Sequence, residues 1–164
     1  MCAMFGSVRD IATFKFMTRE VIENIVSQAI GYYKIVLGVT PVNTYGEALN
    51  KTYIGPVLIN CLIQRGDFEF TQTDFGPDNT RSVEFRFFKD HLIQANVFPE
   101  VGDVIMYNEN FFAIDSVNEN QLILGKDNQY AYQDGLENFG SSYSIILKAH
   151  YASPDSLGIK QERL

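Results

Sequence analysis

Apolar residues recur at Val21, Ile22, Ile25, Val26, Ala29, Ile30 and Tyr33. These steps of three and four predict an amphipathic helix over about residues 18–31. Thr18 is the expected N-cap, Glu20 and Glu23 suit the positive end of the helix dipole, and Gly31 is the expected stop. Further along, the period changes to two. Val57, Ile59, Cys61 and Ile63 share one face of an expected strand, and Leu58 and Leu62 make its other face apolar as well, so burial on both sides is expected. Val83, Phe85 and Phe87 alternate with Ser82, Glu84 and Arg86; Tyr143, Ile145, Leu147, Ala149 and Tyr151 alternate with Ser144, Lys148 and His150. Between these two strands lies an expected meander of 104–107, 111–117 and 121–124, broken twice by the tripeptide Asn-Glu-Asn, at 108–110 and 118–120. Asn accepts left-handed backbone angles, so both tripeptides are expected hairpin turns. Short strands at roughly ten-residue spacing predict a mainly β fold, a small barrel or sandwich with one N-terminal helix and long loops.

The loops carry their own signals. Gly66–Thr80 contains Asp67, Asp74, Gly76, Pro77, Asp78 and Asn79, and Gly125–Ser142 interleaves Tyr130, Tyr132 and Phe139 with Asp, Asn and Gly. Both are expected to be long loops, a kind that is often functional or ordered by a partner. A single domain over 1–152 is expected, with 153–164 as a detached tail. The N-terminus shows no basic region followed by an apolar stretch, and the most apolar run, Ile54–Ile63, is about half the ~20 residues a spanning helix requires. Neither export nor a membrane is expected.

Charge narrows the field. The chain has 13 Lys and Arg against 20 Asp and Glu, a formal net charge of −7. From Pro99 to Asn138 there are eight acids and one base, Lys126, so that stretch carries the whole excess. A protein that grips nucleic acid by its phosphates needs a basic face, which this balance disfavours. Two cysteines, Cys2 and Cys61, exclude a disulfide framework and a cysteine-rich zinc site, and two histidines, His91 and His150, leave little for a multi-histidine centre.

No strong catalytic motif is present: no nucleophile elbow, phosphate-binding glycine loop or His-Glu-x-x-His. Glu100 and Asp103 could flank a scissile bond, but they surround Gly102 where solvated acids are ordinary. Asp67, Asp74 and Asp78 lack the spacing of a regular calcium loop. The thirteen Phe and nine Tyr could stack bases, yet Phe85, Phe87 and Phe88 have only Arg86 and Lys89 beside them, so a core role is expected. Neither a catalytic residue nor a cofactor or metal is expected.

The segment Phe98-Pro99-Glu100-Val101-Gly102-Asp103-Val104-Ile105-Met106-Tyr107, followed by Phe111–Val117, resembles the Pro-x-x-Gly-Asp hairpin of neck proteins, or head-closure proteins, of T4-like tailed phages. Upstream, Tyr45-Gly46-Glu47-Ala48-Leu49-Asn50-Lys51 is similar to that family's Gly-Glu segment before its first barrel strand. The likeness covers roughly residues 39–124, and this chain is much shorter than the T4 neck protein. The resemblance implies a non-enzymatic virion component. It would form a homo-oligomeric ring, commonly sixfold, between the portal-adaptor protein and the tail or tail terminator, with double-stranded DNA only passing through. Under that reading the acids Glu100, Asp103, Glu109 and Glu119 are the candidate channel-facing residues, since like charge keeps DNA from sticking. Tyr130, Tyr132, Phe139, Leu157 and Ile159 are the candidate interface residues. Rival readings are another connector piece (an adaptor or tail-completion protein), a monomeric OB-like domain that binds an oligonucleotide or small ligand, and a small hydrolase using Glu100 and Asp103.

Overall fold

A computed structural model describes residues 8–38, 40–41, 43–44, 51–73, 76–122 and 142–159. Helix α1 covers Val8–Glu20 and runs on as a π-helical segment, Val21–Val26, which ends at Ser27 in the left-handed conformation (φ 45°, ψ 42°). The helix therefore starts ten residues before the expected 18, Thr18 lies inside it, and Gly31 does not end it. The apolar stripe that suggested residues 18–31 runs across two elements: Ala29–Ile35 is strand β1, where Ile30 and Tyr32 turn into the core by alternation.

Six more strands follow: β2 (Tyr53–Asn60), β3 (Leu62–Thr73), β4 (Gly76–Phe88), β5 (Val104–Tyr107), β6 (Asn110–Leu122) and β7 (Ser142–Ala152). Short helices α2 (Lys89–Gln94) and α3 (Pro154–Leu157) follow β4 and β7. All pairings are antiparallel, in one seven-stranded sheet of order β2-β1-β5-β6-β7-β4-β3. Strands β2 and β3 occupy opposite edges, yet only Cys61 separates them along the chain. The sheet must therefore curl until its two edges meet end to end, and the Cys61 amide donates to Gln28 O at 3.0 Å at that corner. No ladder joins β2 to β3 among the described residues, so the fold is a sandwich-like curled sheet and not a closed barrel.

Inside the curl lie Ile30, Tyr32, Cys61, Val83, Phe85, Phe87, Ile105, Phe112, Ile114 and Leu147. Phe85 and Phe112 meet edge to face, with ring centroids 5.8 Å apart. Burying each large side chain contributes about 1.5–3 kcal/mol. A second cluster, Val104, Phe111 and Leu157 with Tyr33, Tyr53, Met106 and Ile159 against it, covers the other face of β5 and β6. The β5–β6 hairpin is thus buried on both faces. The expected detached tail is not detached as far as Ile159, because α3 carries Leu157 into this cluster.

Three local expectations change. The supposed loop at 66–80 is the far part of the β3–β4 ribbon, paired from Phe68↔Arg81 out to Thr73↔Gly76. Its Gly-Pro pair marks the tip, and the Phe and Thr residues before it favour strand. The supposed strand through Ile63 breaks at Cys61, and Leu58 on β2 is exposed because β2 is a sheet edge. The first Asn-Glu-Asn is a two-residue hairpin with Asn108 and Glu109 at positive φ (50° and 63°), whereas the second lies within β6. There β7 pairs alongside Asn118, so the strand continues through a register irregularity instead of reversing. The loop expected at 125–142 lies almost wholly outside the described residues.

Gly102 adopts φ +96° in the turn before β5, with open space where a side chain would stand. Only the backbone objects to a side chain there, so Gly102→Val should cost about 1–3 kcal/mol. An unfolding midpoint in urea indistinguishable from wild type would contradict that assignment.

Candidate functional site

The turn that carries the family resemblance is closed by one carboxylate. Strand β1 brings Tyr32, Lys34 and Ile35 alongside the 98–103 segment. Asp103, with 0% of its surface exposed, accepts hydrogen bonds from all of them. The Tyr32 hydroxyl donates to Asp103 Oδ2 in a short contact. Lys34 Nζ donates to the same oxygen at 3.0 Å and the Glu100 amide at 2.8 Å, while the Ile35 amide donates to Oδ1 at 3.0 Å. The Asp103 backbone extends the clamp, because its carbonyl accepts from the Ile114 amide at 2.9 Å and the Gly102 amide donates to Ile114 O at 3.0 Å. Lys34 also donates to Phe98 O and to Glu100 Oε2, each at 2.9 Å, drawing both ends of the turn to one ammonium.

The titration behaviour follows from this geometry. Burial, reinforced by the Asp103 hydrogen bond and charge, holds the Tyr32 phenol well above its ordinary value. For Lys34, partial burial opposes the charged form, but the hydrogen bonds to Glu100 and Asp103 outweigh it and raise the ammonium's pKa. Burial raises the Tyr53 phenol, with the charge of Asp103 adding to it. Burial also pushes the Cys61 thiol up to about 12, which fits a small core residue and not a nucleophile.

Asp103 therefore does not face a channel, nor does it form a solvated acid pair with Glu100. Sealed from water and filled with donors, it reaches no substrate and serves as a structural clamp. Glu100 is exposed and paired with Lys34. Glu109 stands exposed at the tip of the β5–β6 hairpin. Glu119 lies on β6 rather than at a turn, 3.9 Å from Lys89 Nζ. Leu157 is buried in its own chain's second cluster, and Ile159 packs half-buried against it. Tyr130, Tyr132 and Phe139 lie outside the described residues.

A second polar group joins α1 to α2. Lys15 Nζ lies 3.3 Å from Asp90 Oδ2, Arg19 Nε donates to Glu23 Oε2 at 2.8 Å, and the other Glu23 oxygen is in close contact with His91 Nε2. The Arg19 hydrogen bond holds the Glu23 carboxyl below its ordinary range. Lys15, Arg19, Asp90 and His91 of this group line an open cleft of about 210 Å³ together with Phe16, Phe88 and Gln94. Across the central strands β6 and β7, His150 Nδ1 lies 2.6 Å from Asp115 Oδ1 at the surface. Among the described residues no group of His, Cys, Asp and Glu is arranged to hold a metal ion, and no helix is long and apolar enough to cross a membrane.

Sequence reasoning missed the open apolar surface. Phe14, Met17 and Ile25 on the helix, Ile54 and Leu58 on β2, and Phe98 and Val101 around the turn are all more than half exposed. The absence of any charged residue in 53–60 was the available signal.

No protein-family model matches the chain. No curated protein matches it either. Among solved structures, a chain of the virion of a native gene transfer agent particle is similar, at 10% identity over 76% of this chain and 94% of that one, with a TM-score of 0.45. A likeness so distant defines neither the fold nor a role.

Removing the clamp should be costly. Asp103→Ala leaves the Lys34 ammonium and two backbone amides without their acceptor, an expected loss of about 3–5 kcal/mol, whereas Tyr32→Phe should cost about 1 kcal/mol. The folded-state values of Tyr32, Lys34 and Cys61 are all raised, so their contributions are complete below the unfolded values. The contributions fall away as pH climbs through the folded ones. The urea midpoint should thus decline from about pH 9 upward, first through Cys61 and then through Tyr32. Cys61→Ala should remove the early part of that decline and Tyr32→Phe the later part. A midpoint flat from pH 8 to 11 would contradict the assignment.

Proposed function

We propose that the chain is a structural protein of a tailed-phage virion and works in the neck. It forms a ring below the portal and its adaptor, closes the DNA exit and receives the tail. The observation that carries the reading is the Pro99–Asp103 hairpin. The residues through which the chain resembles head-closure proteins are the ones that clamp β1, the turn and β6 together. The Gly and Asp of the motif each have a definite structural task, a left-handed turn and a buried acceptor. Exposed Phe, Met, Ile and Leu on the helix and on one sheet edge support an assembly subunit, since a free monomer seldom leaves such residues grouped.

In this reading Glu109 is the channel-facing acid, because it projects from a hairpin tip, and Glu100 stands second to it. Duplex DNA passes and is not held. The reading requires no cofactor, metal or membrane, and the partners are copies of the chain, the adaptor above and the tail below.

Phage grown without this protein should yield heads that fill with DNA but carry no tails and leak their contents, with tail attachment restored by adding the purified protein. Complete tailed particles from such a growth would contradict the proposal. The purified protein should also fail to retain duplex DNA at low salt, since an acidic surface gains nothing from counterion release. Tight binding would favour the OB-like ligand-binding reading instead.

A further inference from the structure

Helix α1 and its π-helical extension are turned inside out. Of the side chains described between Val8 and Val26, only Ile22 is buried, and Lys15, Thr18 and Glu23 are half-buried. The face toward the body is therefore mostly polar, while Phe14, Met17 and Ile25 stand more than half exposed. Ile22 belongs to neither apolar cluster of the sheet, and among the described residues no strand packs extensively on the helix. Two polar ties join it to the body: Lys15 Nζ lies 3.3 Å from Asp90 Oδ2, and Glu23 Oε1 is in close contact with His91 Nε2. The open cleft of about 210 Å³ lies along this same contact, between α1 and the segment from Phe88 to Gln94, so the two sides are not closely packed.

The chain is jointed where the helix meets the sheet. Ser27 is left-handed (φ 45°, ψ 42°), a conformation that is unfavourable for a residue with a side chain, and its amide reaches back to Ile22 O at 3.1 Å. One residue later Gln28 O accepts from the Cys61 amide at 3.0 Å, and pairing of β1 with β2 starts at Ala29. From Gln28 onward the chain is tied into the sheet. Before Ser27 it depends on Ile22, the two polar ties and the helix's own bonds. A helix of this length is marginal by itself, so losing the ties frees or melts it without disturbing the sheet.

We propose that residues 8–26 form an arm, hinged at Ser27 and latched by His91, that opens as a unit when the imidazole loses its proton. Histidine is the side chain that ordinarily changes charge between pH 5 and 8. The His91 side chain is only 10% exposed and faces Glu23, whose other oxygen takes the Arg19 hydrogen bond. On α1, Lys15 is held by Asp90, the neighbour of His91 in α2. At the end of β4, the Phe88 ring meets the imidazole edge to face at 5.4 Å, and Lys89 is turned toward Glu119 of β6 at 3.9 Å. Strand β7 also packs on α2 and carries only Tyr143 as a titratable group between Ser142 and Leu147. The Arg19 hydrogen bond holds the Glu23 carboxyl below its ordinary range, so Glu23 stays charged across the histidine interval. Protonated His91 and Glu23 form an ion pair, whereas neutral His91 leaves a plain hydrogen bond. The arm is thus held most firmly at the acid end and loosens as pH rises. Salt weakens both ties, because Lys15, Asp90 and Glu23 all reach water. The device goes beyond the neck reading and does not depend on it.

Native-state hydrogen exchange on the full chain tests the arm, with rates corrected for the intrinsic effect of pH. Raising the pH from about 5.5 to about 7.5 should lower the protection of amides 13–26 together, by about fivefold, while amides of β4 and β7 keep theirs. About 0.5 M NaCl at the lower pH should act in the same direction. His91→Gln retains an amide that can donate to Glu23 but cannot take up a proton, so its arm should exchange alike at both pH values. His150→Gln, which alters only the surface pair with Asp115, should leave the pH response in place. If His91→Gln disturbs the sheet, lost protection in β4 and β7 reports it, and Glu23→Gln then decides; it too should abolish the response. Equal protection of the arm at both pH values in the unaltered protein overturns the proposal. A response that survives Glu23→Gln, or disappears in His150→Gln, overturns the latch. Arm and sheet loosening together overturn the hinge.

Discussion

One buried carboxylate holds together parts of the chain that are far apart in sequence. Asp103 draws on Tyr32, Lys34 and Ile35 of β1 and on the Glu100 amide, while its backbone is tied to Ile114 of β6. A carboxylate without water is tolerable only when its lone pairs are occupied, and an incomplete set would be worse than none. The clamp is therefore all or nothing, and it sets the angle at which the 98–103 turn leads into β5. From there the β5–β6 hairpin places Ile105 and Phe112 in the main core and Val104 and Phe111 in the second.

The curled sheet explains why the outside of the molecule looks as it does. Since β2 and β3 are one stretch of chain bent at Cys61, the sheet cannot open flat, and its inner face is spent on the main core. What remains outside divides into surfaces covered by the chain itself and surfaces left open. The second cluster takes Leu157 and Ile159 to cover β5 and β6. Phe14, Met17 and Ile25 on the helix and Leu58 on β2 receive no such cover among the described residues.

How much of this could be read from the sequence depended on the range of the interactions. Val83, Phe85 and Phe87 alternate cleanly and are buried as expected, because sheet burial is written in a period of two. The Asn108–Glu109 turn was legible for the same local reason. The identical tripeptide at 118–120 misled because its neighbour β7 arrives from more than twenty residues away and keeps the strand running. Periodicity also failed at residues 18–31, where a helical stripe and a strand happen to abut. The motif around Asp103 was visible but its role was not. Nothing local tells a solvated acid from one whose donors, Tyr32 and Lys34, lie some seventy residues earlier.

Native-state hydrogen exchange at two amides tests the clamp most directly. The Ile35 and Glu100 amides sit at a strand end and in a turn, where exchange is ordinarily fast, yet both donate to a carboxylate sealed from water. The account predicts that they exchange as slowly as the core amide of Ile114, and that in Asp103→Asn protein they speed up together while the amides of β4 and β7 stay protected. Fast exchange at Ile35 and Glu100 in the unaltered protein, with the rest of the sheet protected, would contradict it.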